Sequence, residues 1–289
     1  MCGIGAFQLV DSEVRFARPL CQALLSELEV RGTHASGIAW HENDNDKTWV
    51  QKSAQRGSLL AKVIDQEVGS TCIVHTRYAT QGSPQVNENN HPIDVGGMVG
   101  VHNGHVSNDN YLIAKLPKYK RRGQVDSEAA FAYLQHGPKS EGLSGRLSKI
   151  KGGAALIWLN SEGPRKLLHI ARLRTSPLCF AHTEAGSVIV ASTQHILEQA
   201  CKHAGLKIGK VTHLDEGVYV RFEKGALIQM GDIDLPQQPT PVLPNYAPAK
   251  SSAGSYQGGV YRSKLDLYLD ELEELELLEM EEAMWKDGQ

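Results

Sequence analysis

The sequence has 289 residues, 41% of them hydrophobic and 22% charged, which are fractions typical of a soluble globular protein. No apolar run approaches the roughly 20 residues that are needed to cross a bilayer, so a membrane-spanning protein is excluded. The 30 basic and 33 acidic residues leave a net charge of −3, which gives no electrostatic reason to expect a nucleic-acid ligand.

The cysteines and the amino terminus indicate the compartment. The five cysteines are an odd number and include no CxxC pair, which argues against a disulfide framework and against a structural zinc site. Met1 is followed by neither a basic start nor a long apolar stretch, so no signal peptide is recognised. We therefore expect a cytoplasmic protein with reduced cysteines. No metal is predicted, and no GxGxxG or GxxxxGK loop points to a nucleotide cofactor.

The chain begins with a predicted strand, a helix and a loop. Residues 4–10, IGAFQLV, predict a buried strand. Residues 18–30 carry leucines at helical spacing, and the following RGTHASG has the small and polar residues of an exposed loop.

Short β-rich runs then follow one another up to about residue 230. They are GIAW, KTWVQ, TCIVHTRY, GGMVGVHNG, GGAALIWL, KLLHIA, PLCFAH, SVIVAS, GVYVRF and ALIQM. Helical candidates lie between them at residues 107–116, 127–136, 140–149 and 194–204. Because strands follow one another without intervening helices, we predict antiparallel sheets and an α+β fold, not a doubly wound parallel sheet.

The last part of the chain differs in composition. Residues 235–259 contain five of the twelve prolines and no acidic residue, which predicts an extended linker after a first domain spanning residues 2–234. Residues 260–289 predict an amphipathic helix. Ten acidic and three basic residues give the segment 262–289 a charge of −7. This helix is either a solvated acidic surface or a docking helix for its own domain, a sister subunit or a partner enzyme with a basic groove.

Cys2 is the principal candidate for catalysis. Initiator methionine is usually removed before a small second residue, so we expect the mature chain to begin with Cys2. A terminal cysteine carries a thiol and a free amine on one Cα, with a pKa of about 7.7 to 8.0 for the amine against about 8.5 for the thiol. The amine can accept the thiol proton, directly or through a water, which is the logic of amino-terminal nucleophile hydrolases. The alternative is an incidental buried thiol.

Six segments resemble the ordered motifs of class II glutamine amidotransferase domains. They are CGIGAF at 2–7, RGTHASGI at 31–38, HTRYATQG at 75–82, NENNHPI at 87–93, VHNGHVSN at 101–108 and VDSEAAF at 125–131. A weaker likeness continues through SPLCFA, SVIVAS and LDEGVYVRF, so the resemblance covers about residues 2–230. It implies a four-layer αββα sandwich of antiparallel sheets, the N-terminal nucleophile hydrolase fold, with Cys2 at the edge of the sheets.

The resemblance also implies roles in an acyl transfer from glutamine. Asn103 and Gly104 would offer a side-chain amide and a backbone N–H to the oxyanion, although Asn-Gly after a strand is also a common turn. Arg77 would pair with the α-carboxylate of glutamine, or else form a surface ion pair. Asp126 would accept the α-ammonium group, or else cap the helix that follows it.

A lid over bound glutamine is expected at residues 78–82. Within it, Tyr78 and Thr80 are candidate substrate-binding residues, and closure of the lid would exclude water until glutamine is seated. Where many relatives have an acidic residue in the loop after the first helix, this chain has Thr33 and His34. We expect these two departures to affect the rim of the site and not the reacting atoms.

The histidines inside the motifs are assigned a structural role. His75, His91 and His102 are expected to form hydrogen bonds in the interior. The predicted mechanism requires neither a general-base histidine nor a metal.

These motifs predict a stand-alone glutaminase subunit that hydrolyses L-glutamine to glutamate and ammonia through a Cys2 thioester. The ammonia would pass to a separate acceptor synthetase or other protein subunit, which the C-terminal helix would contact. The oligomeric state is left open, and no nucleic-acid or membrane partner is expected. Two alternatives remain: a catalytically silent scaffold with the same fold, and an amidase or self-sufficient transferase that uses the same terminal nucleophile on another amide.

Overall fold

The structure of the protein is a computed structural model, which describes residues 1–41, 47–160 and 166–235. The described residues belong to one compact unit, Met1–Gln237. The predicted helix at 260–289, and the predicted linker beyond its first residue, lie outside the described residues. The predicted division of the chain therefore stays a prediction.

The regular elements are given in chain order. The strands are β1 (Gly3–Gln8), β2 (Ala35–His41), β3 (Thr48–Ser53), β4 (Thr71–Arg77), β5 (Ile93–Asp94), β6 (Met98–Val106), β7 (Gly152–Asn160), β8 (Leu167–Arg174), β9 (Cys179–His182), β10 (Val188–Ala191), β11 (Thr212–His213), β12 (Val218–Glu223) and β13 (Ala226–Asp232). The α-helices are α1 (Ala17–Glu27), α2 (Gly57–Val63), α3 (Asp109–Ala114), α4 (Asp126–His136), α5 (Gly142–Ser148) and α6 (Gln194–Ala204). Short 3₁₀ helices are formed by Asp11–Phe16, Leu28–Arg31, Asn87–Asn89 and Lys139–Glu141.

The strands form two antiparallel sheets. One sheet has seven strands in the order β11-β9-β10-β1-β4-β2-β3, and the other has six in the order β13-β12-β8-β7-β6-β5. Strand β1 thus lies in the interior of the first sheet, between β10 and β4.

Three layers of apolar side chains hold the molecule together. Leu24 of α1 and Leu197 of α6 pack with Val74 on the outer face of the seven-stranded sheet. Phe131 of α4 and Leu147 of α5 pack on the outer face of the six-stranded sheet. A third cluster fills the space between the sheets and includes Ile4, Ile73, Val101 and Ile157. The predicted α+β class and the four-layer αββα sandwich are confirmed.

Strand alternation places the candidate site between the sheets. Successive side chains of a strand point to opposite faces. Since Ile73 lies in the central cluster, Arg77 belongs to the same face of β4. Since Val101 also lies there, Asn103 belongs to the inner face of β6. Cys2 precedes Ile4 by two residues and starts from the inner face of β1.

Helix α2 was not predicted from the sequence. It is only seven residues long, and its position depends on contacts with the preceding helices. Glu29 accepts a hydrogen bond from the backbone of Ser58 at 2.7 Å, and Gln22 donates to the carbonyl of Ala61 at 3.0 Å. Such contacts leave no local periodicity to detect. Across residues 1–41, 47–160 and 166–235, no helix is long and apolar enough to cross a membrane.

Candidate active site

Cys2 lies immediately before an interior strand. In the pairing of β1 with β4, Gly3 is opposite Thr76. A Cβ at Gly3 would lie 2.5 Å from Thr76 Oγ1 and 2.8 Å from the carbonyl oxygen of Leu28, so the neighbours leave room for glycine alone. The backbone next to the thiol is therefore held closely on both sides.

The thiol of Cys2 is partly buried, whereas the other four cysteines are buried. Its Sγ donates a hydrogen bond to the carbonyl oxygen of Tyr78 at 3.6 Å. Burial raises the pKa of the Cys2 thiol, and the positive charges of the N-terminus, Arg77 and Arg31 oppose this effect. The thiol is thus protonated at neutral pH, and it needs a base before it can act as a nucleophile.

Arg31 is a site residue that the sequence analysis did not assign. Its Nε donates to the carbonyl oxygen of Cys2 at 3.0 Å, and its Nη2 lies 3.8 Å from Met1 Sδ. Burial lowers the pKa of Arg31. The residue stands in the quoted RGTHASGI motif, but its contact with Cys2 joins residues 29 positions apart, which no local pattern reveals.

Arg77 ends β4 and is buried, with 3% of its surface exposed. Its Nη1 donates to Asn90 Oδ1 at 3.0 Å, and its Nη2 donates to the carbonyl oxygens of Gln81 and Gly82 at 2.5 and 2.9 Å. Burial lowers the pKa of Arg77, while the charges of Cys2 and Asp126 act to raise it. The surface ion pair is therefore wrong, and Arg77 lies within electrostatic reach of two other candidate residues.

Asn103 and Gly104 belong to the ladder between β6 and β7 and do not form a turn. At Gly104, φ is +133°, and a Cβ would overlap the carbonyl oxygen of Gly153, so only glycine fits. Asn103 is 1% exposed, and neither Oδ1 nor Nδ2 has a partner among the described residues. Leaving a buried polar group unpaired costs about 1–3 kcal/mol, and such a group calls for an explanation.

A cross-sheet hydrogen bond brings the two strands together at this point. His75 Nε2 lies 3.2 Å from the carbonyl oxygen of His102. Strands β1 and β4 of the first sheet also contact β6 of the second. Asn103 follows His102, and Arg77 lies two residues beyond His75 on the same face. Cys2, Arg77 and Asn103 therefore belong to one region between the sheets.

Asp126 is the first residue of α4 and is 8% exposed. Its Oδ2 accepts a hydrogen bond from the backbone of Val106 at 2.6 Å and lies 3.4 Å from His105 Nδ1. Its Oδ1 accepts a weaker contact from Ser127 Oγ at 3.4 Å. The N-cap position is Val125, with no side-chain cap bond, so the capping role for Asp126 is wrong. Oδ1 retains capacity for a further donor.

The segment after β4 meets Cys2 through its backbone. The side chain of Tyr78 is 50% exposed, and Thr80 is also exposed. Neither side chain is therefore placed in the buried centre of the site. Gly82 has a φ of +71°, where a Cβ would lie 2.7 Å from Asn89 Nδ2. The segment thus lies over the site, with its turn held by Arg77.

The three motif histidines form a buried cluster. The rings of His75 and His91 stack at 4.1 Å, and His102 Nδ1 lies 2.8 Å from Ser127 Oγ. Both ring nitrogens of His91 lack a partner within the described part of the chain, so the expected structural hydrogen bonding is absent there. Burial lowers the pKa of His75 to about 3, which keeps this ring neutral. Among the described residues, no group of histidine, cysteine and acidic side chains is arranged to hold a metal.

Comparison with known proteins gives the family. Residues 75–199 match the family model described as a glutamine amidotransferase domain. The chain is 32% identical over 201 residues to a glutamine–fructose-6-phosphate aminotransferase (isomerizing) of Wigglesworthia glossinidia brevipalpis, which covers 66% of this chain and 32% of that protein. It is 29% identical to the protein of the same name from Pyrobaculum aerophilum, which covers 77% of this chain and 38% of that protein. The chain thus spans about a third of the length of these relatives.

Solved structures share the fold. Glutamine phosphoribosylpyrophosphate amidotransferase from B. subtilis superposes with a TM-score of 0.64 at 17% identity, over 82% of this chain and 50% of that chain. A class-II glutamine aminotransferase domain protein from Silicibacter pomeroyi superposes with a TM-score of 0.50 at 14% identity, over 80% of this chain and 99% of that chain. Taken with the motifs, these similarities identify a class II glutamine amidotransferase domain in this chain, and the solved structures show that its αββα sandwich is shared.

Proposed function

We propose that this protein hydrolyses L-glutamine to glutamate and ammonia, with Cys2 as the nucleophile. The observation that carries the proposal is the buried amide of Asn103, which has no partner among the described residues and lies in the region that contains Cys2 and Arg77. An amide that no such protein group satisfies is free to donate to a charge that develops only during reaction. A silent scaffold would gain nothing from this arrangement, because the unpaired amide destabilises the fold.

The first half of the reaction forms a thioester. Removal of Met1, which is 51% exposed, frees the α-amine of Cys2 to take the thiol proton. Sγ then attacks the side-chain carbonyl carbon of glutamine, and the oxyanion accepts hydrogen bonds from Asn103 Nδ2 and from the N–H of Gly104. The C–N bond breaks as the amine passes its proton to the leaving nitrogen, which departs as ammonia.

The second half releases glutamate. The free amine accepts a proton from a water molecule, and the resulting hydroxide attacks the thioester carbon. The same two donors stabilise the second oxyanion. The C–S bond breaks, the proton returns from the amine to sulfur, and the γ-carboxylic acid that is formed loses its proton to solvent, which gives the γ-carboxylate of glutamate and a proton that the released ammonia can take up. The cycle consumes one water and regenerates the thiol.

Arg77 and Asp126 recognise the amino-acid end of the substrate in this proposal. A bidentate pair with the α-carboxylate requires two N–H groups on one edge of the guanidinium. At present Nη2 donates to the carbonyls of Gln81 and Gly82, so this turn must shift when glutamine is seated. Oδ1 of Asp126 accepts from the α-ammonium group. Matching both charges selects a free amino acid over other amides.

We further propose that the chain works as a stand-alone subunit and that a separate protein consumes the ammonia. The charge of −7 in residues 262–289 supports the C-terminal segment as the docking element for a partner with a basic groove. In this case a variant lacking residues 260–289 releases glutamate at the wild-type rate. Loss of glutamate release on this deletion would show that the segment belongs to the catalytic unit.

The central test is glutamate release by the full chain. Intact-mass measurement first establishes that Met1 is absent, and a coupled assay then compares wild type with Cys2→Ala and Cys201→Ala. Cys201 is buried in α6 and serves as the matched control for loss of a thiol. We expect Cys201→Ala to retain activity and Cys2→Ala to lose at least about 1,000-fold, as for removal of other nucleophiles. Equal rates for Cys2→Ala and wild type would refute the proposal.

A further inference from the structure

Two loops lie side by side at the mouth of the site. Residues 32–34 follow the 3₁₀ helix Leu28–Arg31, and residues 77–79 lead out of β4. The N–H of His34 donates to the carbonyl oxygen of Arg77 at 2.9 Å. A Cβ at Gly32 would lie 2.5 Å from the backbone nitrogen of Tyr78, so the two backbones are in direct contact.

The side chain of His34 adds two contacts of its own. Its Nδ1 accepts a hydrogen bond from the N–H of Ala79 at 2.9 Å. Its ring stacks on the ring of Tyr78, with centroids 5.0 Å apart and planes inclined by 27°. Because the backbone N–H is the donor, Nδ1 carries no proton, and the tautomer is fixed by this contact.

These contacts determine where the lid segment sits. Tyr78 supplies the carbonyl oxygen that accepts from Cys2 Sγ at 3.6 Å, and its ring and the next residue are the two groups that His34 contacts. We propose that His34 is a positioning residue, which holds Tyr78 and Ala79, the first two residues of the segment 78–82, over Cys2 through the Nδ1 lone pair and the stacked ring. For its effect on turnover this inference rests on the proposed function, whereas the contact itself does not.

The chemistry of the contact determines which substitutions are informative. In His34→Asn the side-chain amide oxygen takes the place of Nδ1, so this variant keeps the acceptor and removes the ring. His34→Phe keeps a ring for stacking and removes the acceptor. His195 is an exposed histidine on α6, and His195→Phe is the matched control for the same change at the surface.

Hydrogen exchange of the full chain tests the positioning role without reference to activity. We expect exchange in the shortest peptides that span Ala79 to become about three- to tenfold faster in His34→Phe, the size of one lost hydrogen bond. In His34→Asn the rate should return most of the way to wild type, and His195→Phe should leave it unchanged. Equal exchange at Ala79 in wild type and His34→Phe would overturn the proposal.

A second measurement concerns the nucleophile. Since the other cysteines are buried, iodoacetamide reports mainly on Cys2. Because the segment over Cys2 is held less firmly in His34→Phe, we expect its alkylation to be faster than in wild type. For glutamine hydrolysis we expect a KM raised about three- to tenfold with a smaller change in kcat. A general folding defect would instead lower kcat and the unfolding temperature together and would overturn the specific role. Exchange and alkylation that are faster in His34→Phe than in wild type would support the positioning role of His34 even if the wild-type chain released no glutamate. That last result would refute the proposed function alone.

Discussion

Three buried asparagines of this protein have the same side chain in two opposite situations. In the segment before β5, Asn89 donates to the carbonyl of Ser83 and accepts from the backbone of Gln124 at 2.7 Å, and Asn90 accepts from Arg77. On β6, Asn103 is equally buried and has no partner within the described residues. The first pair ties loops together. The third has no such protein partner, and under the proposed function its amide donates to the oxyanion of the substrate.

The difference teaches how to separate a structural amide from a functional one. Burial alone does not distinguish them, because Asn89 is 0% and Asn103 is 1% exposed. The two kinds of amide are distinguished by whether their polar atoms have hydrogen-bond partners. A satisfied amide contributes to folding, whereas an unsatisfied one lowers stability and persists where binding or catalysis uses it.

Asn103→Leu is expected to have the largest effect, and it tests the buried amide that has no partner among the described residues. If Nδ2 stabilises the oxyanion, kcat for glutamine hydrolysis falls by about 100- to 1,000-fold. Because no hydrogen bond to a described residue is lost, the free energy of unfolding should not decrease. Steady-state glutamate release and urea unfolding measure the two quantities. A marked loss of stability with normal kcat would reverse the assignment.

Asn89→Leu is the matched substitution at a buried amide that does have hydrogen-bond partners. It removes the hydrogen bonds to the backbone of Ser83 and Gln124, so we expect unfolding to become easier by about 1–3 kcal/mol. Urea unfolding provides the measurement. Below the unfolding transition, kcat should change far less than in Asn103→Leu. If Asn89→Leu were as stable as wild type, hydrogen-bond satisfaction would not mark structural amides here.

The smallest effect extends the comparison to a buried imidazole away from the site. His169 stacks on Trp158 at 4.8 Å, and neither ring nitrogen has a partner among the described residues. Burial lowers the pKa of His169 to about 3, with a smaller contribution from Arg221. The unfolded chain therefore takes up this proton first, and stability falls as the pH drops from about 6.5 to about 3.

Each pH unit in this window costs about 1.4 kcal/mol for one such histidine. His169→Phe keeps the stacked ring and removes the proton site. As the pH is lowered, its unfolding free energy should therefore fall by about 1.4 kcal/mol less per pH unit than that of wild type. Urea unfolding at pH 7, 6 and 5 gives the slopes, with His195→Phe as the control. Parallel slopes for wild type and His169→Phe would mean that His169 is not held neutral by the fold.

Much of the fold follows from patterns that are local in the chain. Short β-rich runs predicted the long strands, the helical spacing of leucines predicted α1, and the helical candidates between the strands correspond to α3, α4, α5 and α6. The helix α2 and the two-residue strands β5 and β11 were missed, because each is too short for a period to show. Their positions depend on packing against elements that are distant in the sequence.

The candidate site divides in the same way. The residue types at Cys2, Arg77, Asn103 and Asp126 could be selected from motifs. Their partners could not, since the contact of Arg31 with Cys2 and that of His34 with Ala79 join loops far apart in the chain. The alternatives proposed for Arg77 and Asp126 failed because burial and the true N-cap position are properties of the folded molecule.

The hydrogen bond from Arg31 to the carbonyl of Cys2 has a practical consequence. This bond holds the peptide group that follows Cys2. Met1, which precedes Cys2, is 51% exposed, so further residues can be attached ahead of it. An affinity tag fused ahead of the cysteine would therefore leave the fold intact, yet under the proposed chemistry it would convert the amine into an amide. A purification handle at the opposite terminus avoids this, and a well-folded but inert preparation should first be checked for an uncleaved leader.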